Sequence, residues 1–478
     1  MMKQKPAEYN GGRRARRRTS AGGPAGGGRG ARRAGMALLA AWLGLSSPAS
    51  AQPALPARAN AAVLAPKPAP PPLIPRVEVP PGVMLGIDVL EHSNFLVLRG
   101  KRIGLLTHAA GRDRRGVSTV EVLRRAPGVK LVALFATEHG IWNNLPRGKS
   151  FSDQIDARTG LMVYSLYNGR TAVPSATQLR GIDALVIDLQ DVGVRSYTFS
   201  GTMKTAMEGC FRRNVEVIVL DRPDPLGGFK VSGPPLDPNL VGVSLVCEFP
   251  VPYVHGLTIG ELARLAKGSP GVLRLTPAEL GHGRLTIIPM VGWRRAMRWP
   301  DTDLAWTSTS PNIQDFAAVI GYAMTGLGCE LGNFRHGVGA QYQFRGIYNL
   351  KVRPEVVARE LRALHLPGIN FRQISAPSAR TGQPGTGLYV EVTDWDEWRP
   401  TDLSFYLMWL ACKLEPRNPF ASPSRSQASE FLHEMGSAAF FHDLAVLGPR
   451  VDVEAYLRQW NAQDLQFQKQ SRRFWLYQ

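Results

Sequence analysis

At 478 residues, 44% hydrophobic and 20% charged, the chain has the composition of a soluble globular protein of two or three domains, which excludes fibrous, collagen-like and wholly disordered classes. The formal charge of +19 points to nucleic acid only until it is located. Residues 1–85 hold 13 Lys and Arg with 2 Asp and Glu, leaving 44 against 36, a net of +8, for the other 393. No nucleic-acid partner is expected.

The first 51 residues read as a secretory signal. A basic stretch from Arg13 to Arg33 precedes the apolar run MALLAAWLGL, Met36 to Leu45, and the small-residue site SSPASA ending at Ala51. That run has about half the length of a spanning helix, so no transmembrane segment is expected and the protein is assigned to the periplasm or the medium. Residues 52–83 read as a linker, with ten prolines between Gln52 and Pro81. The cysteines, Cys210, Cys247, Cys329 and Cys412, contain no C-x-x-C pair, so a zinc site is unsupported, and one or two bridges remain compatible with an oxidising compartment.

From Arg102 short apolar runs alternate with helical patterns. RIGLLTH, VKLVALFATEHG, IDALVIDLQDVG and VEVIVLDRPDP are predicted strands; VSTVEVLRRA and TFSGTMKTAMEGCFRR are predicted helices. In the second helix Phe199, Met203, Met207, Cys210 and Phe211 share one face, a core stripe. Near-continuous Val, Ile and Leu in the last two strands indicate a parallel sheet covered on both faces. The fold class is α/β: a doubly wound domain over 84–283, then a smaller α+β domain over 284–478 whose Gly- and Asn-rich loops face the first.

Each strand ends in polar residues: Glu138 and His139; Asp188, Gln190 and Asp191; Asp221 and Arg222. Ligands of open parallel sheets bind outside the strands' carboxyl ends, where these three groups converge. Singly, an Asp in this position often caps the next helix or fixes a turn. No G-x-G-x-x-G follows the first strand and no Walker motif occurs, so no nucleotide cofactor is expected. The nine histidines lack metal-ligand spacing, so no metal is expected either. Serine chemistry lacks its G-x-S-x-G elbow. In VHGLTIGELA, Thr258 and Glu261 form a capping box, and His255 is a candidate ligand contact or a structural histidine.

TEHG from Thr137, TGLMVYSLYNG from Thr159, DLQDVGVRSYTF from Asp188, VLDRPDPLGG from Val219, VHGLTIGELA from Val254, SPNIQ from Ser310, CELGN from Cys329 and the closing FQKQSRRFWLY occur in this order. The series resembles the NamZ-type exo-β-N-acetylmuramidases. The resemblance runs from about Gly86 to the end. It implies a Rossmann-like amino-terminal domain, an active site in the cleft against a smaller carboxy-terminal domain, and release of terminal N-acetylmuramic acid from peptidoglycan fragments.

Glycoside hydrolysis needs an acid to protonate the leaving oxygen, usually with a second carboxylate. Glu138, at a strand end in a partly enclosed cleft, suits the first role. Asp188 or Asp191 suits the second, although an N-acetyl sugar can supply its own nucleophile. Arg195 and Arg222 are candidates for the lactyl carboxylate of muramic acid, and Tyr197 offers a ring face and a hydroxyl. His139, Gln190, Asp221, His255, Asn312, Glu330, Asn333 and His336 complete the predicted substrate contacts. The loop from Glu330 reads ELGNFRHGVGA where the family has a pattern close to E-G-T-N-L-S-E-G-R-G-T, so His336 and Val338 replace a Glu and an Arg. That exchange motivates an alternative, a periplasmic protein that binds cell-wall sugar without cleaving it.

Overall fold

The computed structural model describes residues 82–169, 172–339, 341–377 and 382–478. The expected signal segment and nearly all of the expected linker lie outside them.

After α1 (Gly86–His92) the chain forms β1 (Arg102–Thr107), α2 (Thr119–Arg125), β2 (Lys130–Ala136), β3 (Gln154–Ile155), β4 (Met162–Ser165), β5 (Ala184–Asp188), α3 (Thr198–Arg212) and β6 (Glu216–Leu220). There follow β7 (Ser232–Pro235), β8 (Pro252–Val254), α4 (Ile259–Gly268), α5 (Pro277–His282) and β9 (Leu285–Ile288). The sheet order is β3-β4-β2-β1-β5-β6-β9, parallel throughout except for the β3–β4 pair. Its six parallel strands therefore run 3-2-1-4-5-6 in chain order, the doubly wound arrangement with its switch point between β1 and β5. β5 is buried at every residue, and Phe199, Met203, Met207, Cys210 and Phe211 of α3 are all fully buried. β9 pairs with β6, so the sheet continues past Gly283, where the sequence placed the boundary, to Ile288. Chain connectivity had hidden it: two helices separate β9 from its neighbour.

The second layer is a four-stranded antiparallel sheet, β10 (Phe334–Val338), β11 (Tyr342–Asn349), β12 (Ile369–Pro377) and β13 (Pro384–Val392), in the order β10-β11-β13-β12. With it go α6 (Phe316–Thr325), α7 (Pro354–Arg362), α8 (Asp402–Leu414), α9 (Arg425–Met435), α10 (Ala438–Leu447) and α11 (Val453–Ser471). One apolar core joins α3 and α4 to α6, α8 and the second sheet. The carboxyl-terminal residues return to the first sheet: Tyr477 Oη donates to Asp221 at 2.5 Å, and Leu476 N to Glu261 Oε1 at 2.9 Å. The four cysteines are buried and unbridged. No described helix is long and apolar enough to cross a membrane.

α11 meets β7 through Asp464, whose Oδ2 accepts the Gly233 amide at 3.1 Å. Burial, with the charge of Asp402 added, pushes the Asp464 carboxyl up to about 8. The fold thus keeps a proton that the unfolded chain releases near about pH 3.9. Stability from this group is complete below that value and is lost as pH rises through about 8. Urea midpoints of wild type should accordingly fall over this window, and those of Asp464→Asn should fall less; parallel curves would refute the assignment.

Candidate active site

β2 ends at Ala136, and the chain turns sharply at His139 and Gly140, whose φ values are 71° and 75°. The Gly140 amide closes the turn on the Thr137 carbonyl at 3.2 Å, with His139 in the positive-φ place that such turns reserve for one central residue. The turn directs Glu138 and His139 into a cavity of about 540 Å³, a volume suited to a sugar. Its walls come from the β2 turn and Arg147–Gly148, from Tyr167, from the start of α3 at Ser196–Thr198, from Ser310–Ile313, from Tyr322 of α6 and Phe344 of β11, and from α9.

Glu138 is held from both sides. Its Oε1 accepts the Gly148 amide at 2.7 Å and its Oε2 the Thr198 hydroxyl at 3.0 Å. The Tyr167 phenol stands nearby: burial first, and Glu138's charge second, push it up to about 12. A hydroxyl can turn from donor to acceptor, so Oε2 can take a proton without losing its partner. His139 Nδ1 lies 2.9 Å from the Leu145 carbonyl, which fixes the proton on that nitrogen.

The other predicted residues separate into those at the cavity and those that build its floor. Tyr197 and Asn312 line it. Asp188, one of the two candidates for the second carboxylate, is instead spent in a buried ion pair: Arg222 Nε and Nη2 donate to its two oxygens at 2.5 and 2.8 Å, and the Thr119 hydroxyl donates to one of them. Arg222, expected at the lactyl group, is thereby committed to Asp188 and to the Arg112 carbonyl at 2.6 Å. Asp221 has the cap role open to any Asp after a strand, accepting from Thr258 Oγ1 and Gly260 N at 2.8 Å each. Gln190 fastens its own loop, donating to the carbonyls of Asp191 and Pro223 at 2.9 Å, while its amide donates to His108 Nε2 at 3.0 Å. Asp191 accepts the Gly193 amide at 3.0 Å and lies 3.7 Å from His255 Nε2; neither residue lines the cavity.

Arg195 is 2% exposed and does not reach the cavity. Its Nη1 donates to the carbonyls of Val246 and His433 at 3.0 and 3.3 Å, and its Nη2 to those of Glu434 and Met435 at 3.1 and 3.0 Å. It thus neutralises the carboxyl end of α9, where the helix dipole is negative. At the following Gly436, φ is 83° and a β-carbon would meet Arg195 at 2.3 Å, so the clamp requires glycine.

Family models describe two stretches of the chain, residues 103–317 as the amino-terminal and 320–477 as the carboxy-terminal domain of the exo-β-N-acetylmuramidase NamZ. The peptidoglycan β-N-acetylmuramidase NamZ of Bacillus subtilis (strain 168) is 38% identical over 320 residues, 66% of this chain and 74% of that protein. The chain belongs to the NamZ family. It is a glycoside hydrolase. A crystal structure of a DUF1343 family protein, BF0371 of Bacteroides fragilis, superposes with a TM-score of 0.72 at 34% identity, covering 83% of this chain and 99% of that one. A second, BF0379, shares the fold at a TM-score of 0.59 and 24% identity over the same shares.

Against the NamZ pattern, the exchanged loop acts from behind the cavity wall. Val338 is buried with Ile374 and Ala376. His336 stacks on Phe344 with ring centroids 4.1 Å apart, and burial first, then Arg147, push its imidazole down to about 4. It is Phe344, at a φ of 58°, that lines the cavity. Glu330 accepts from Arg147 Nη1 at 2.8 Å, and Asn333 contributes its carbonyl to Leu350 N at 3.0 Å. Sequence reasoning missed Arg147, Tyr167, Thr198, Tyr322, Glu430 and Glu434. For the last two a signal existed, since a spacing of four on one helix puts both carboxylates on one face. Among the described residues, no group of three or more His, Cys, Asp or Glu is placed to hold a metal ion.

Proposed function

We propose that the protein is an exported exo-β-N-acetylmuramidase that releases N-acetylmuramic acid from the non-reducing ends of peptidoglycan fragments, with Glu138 as general acid. The observation that carries this reading is the Glu138 carboxyl itself, in a sugar-sized cavity and held at both oxygens by Gly148 and Thr198. In the reaction Glu138 passes its proton to the glycosidic oxygen as the bond to the anomeric carbon breaks. The cation that forms is met by water or by the sugar's own acetamido oxygen, and the incoming water returns a proton to Glu138. Asp188 is bound to Arg222 and Asp191 faces His255 outside the cavity lining. This favours the acetamido oxygen over either Asp as the internal partner. The Tyr197 and Phe344 rings suit the apolar face of a pyranose.

The sugar-binding alternative was motivated by His336 and Val338, and neither lines the cavity. Export rests on the signal-like segment before Gln52. The test is a release assay with mature protein, beginning at Gln52, recovered from the exporting host. Release from a chromogenic N-acetylmuramide, well above that from the matching N-acetylglucosaminide, is the expected result, and saturable binding of the muramide without any release would sink the hydrolytic reading.

A further inference from the structure

N-acetylmuramic acid differs from N-acetylglucosamine by an anionic lactyl ether, and a pocket that selects it needs a cation. Both arginines expected from the sequence are spent elsewhere, Arg195 on the end of α9 and Arg222 on Asp188. Among the described residues lining the cavity, Arg147 is the one Arg or Lys. Its side chain is 53% exposed. Nη1 donates to Glu330 at 2.8 Å and Nη2 to Glu434 at 2.7 Å. A guanidinium has five N–H donors, so two carboxylates that each take one leave three for a ligand. The two glutamates belong to different elements, the turn before β10 and the end of α9, and they hold the guanidinium plane between them at the cavity wall.

We propose that Arg147 is the specificity-determining residue of this pocket, receiving the lactyl carboxylate of N-acetylmuramic acid on the N–H groups that Glu330 and Glu434 leave free. This rests on the muramidase reading and extends it from the bond cleaved to the sugar selected.

The charge balance agrees. With both glutamates ionised the three groups would sum to a negative site that repels a third carboxylate. Glu434 is pushed upward by burial first and by the charge of Glu330 second, with Glu430 adding to both, against the opposing pull of Arg147. The phenols of Tyr253 and Tyr322 and the Arg195 guanidinium also face this corner. A protonated Glu434 leaves Arg147 balanced by Glu330, so these three groups together set no net negative charge against an arriving carboxylate. A planar fork of donors also matches a carboxylate better than a lysine ammonium does.

Calorimetric titration of the full mature protein with N-acetylmuramic acid and with N-acetylglucosamine tests this without requiring turnover. Wild type should prefer muramic acid by at least about tenfold, the scale of one charge-assisted contact. Arg147→Met should erase that preference, and Arg147→Lys should retain part of it. From about pH 6 to about pH 9 the muramic acid affinity of wild type should weaken while that of Glu434→Gln stays level. An unchanged preference in a folded Arg147→Met protein, or no preference in wild type, overturns the proposal. Selective binding through Arg147 in a protein that releases no sugar would instead retain this inference and remove the hydrolytic reading.

Discussion

Glu138→Gln is expected to lower kcat on a natural muramyl disaccharide by about 10²–10⁴-fold, the usual contribution of a positioned general acid, while KM changes little. The substitution is nearly isosteric. The Gly148 amide can still find the side-chain oxygen and the Thr198 hydroxyl can turn to accept from the new amide, so the cavity keeps its shape. What is lost is the transferable proton. The leaving group offers a sharper reading than the rate alone. A nitrophenolate departs without protonation, so the deficit should be much smaller on a nitrophenyl muramide than on the disaccharide. Equal losses on both would mean that Glu138 acts on something other than the leaving oxygen.

Arg222→Met should destabilise the fold by about 3–5 kcal/mol, the range found when one partner of a buried ion pair is removed. Asp188 is fully buried, with its charge answered chiefly by Arg222 and the Thr119 hydroxyl. Methionine fills the volume and leaves the carboxylate stranded. The loss would be read from urea unfolding, with kcat measured on the folded protein at low temperature. A large fall in kcat with stability intact would return the pair to the reaction itself.

Strands β1, β2, β5 and β6 of the doubly wound sheet were legible because each is a nearly continuous apolar run that ends in a polar group. The edge strand β9 was not, since two helices separate it from its sheet neighbour β6, and β3 and β4 were not, being only two and four residues long. The place of Glu138 at the cavity was legible for the same reason as the sheet: it stands just past a strand end. The strand-end rule also selected Asp188, Asp221 and Arg222, and here it could not separate groups facing the ligand from groups closing the layer beneath. All follow strands, and only three-dimensional neighbours tell them apart: Thr119 and Arg112 for the ion pair, Thr258 and Gly260 for the cap. Arg147, from the loop, and Glu434, from a helix almost 300 residues away, carry no shared local pattern, so the sequence offered no reason to pair them.

The Arg195 clamp fixes how a sugar would arrive. Three carbonyls at the end of α9, bound by Arg195, hold it to the first layer, so that wall stands ready before any ligand appears and little ordering entropy remains to be lost on binding. Encounter then needs no slow rearrangement on that side. Observed association rates should rise in proportion to sugar concentration, without the plateau that a closing lid would impose.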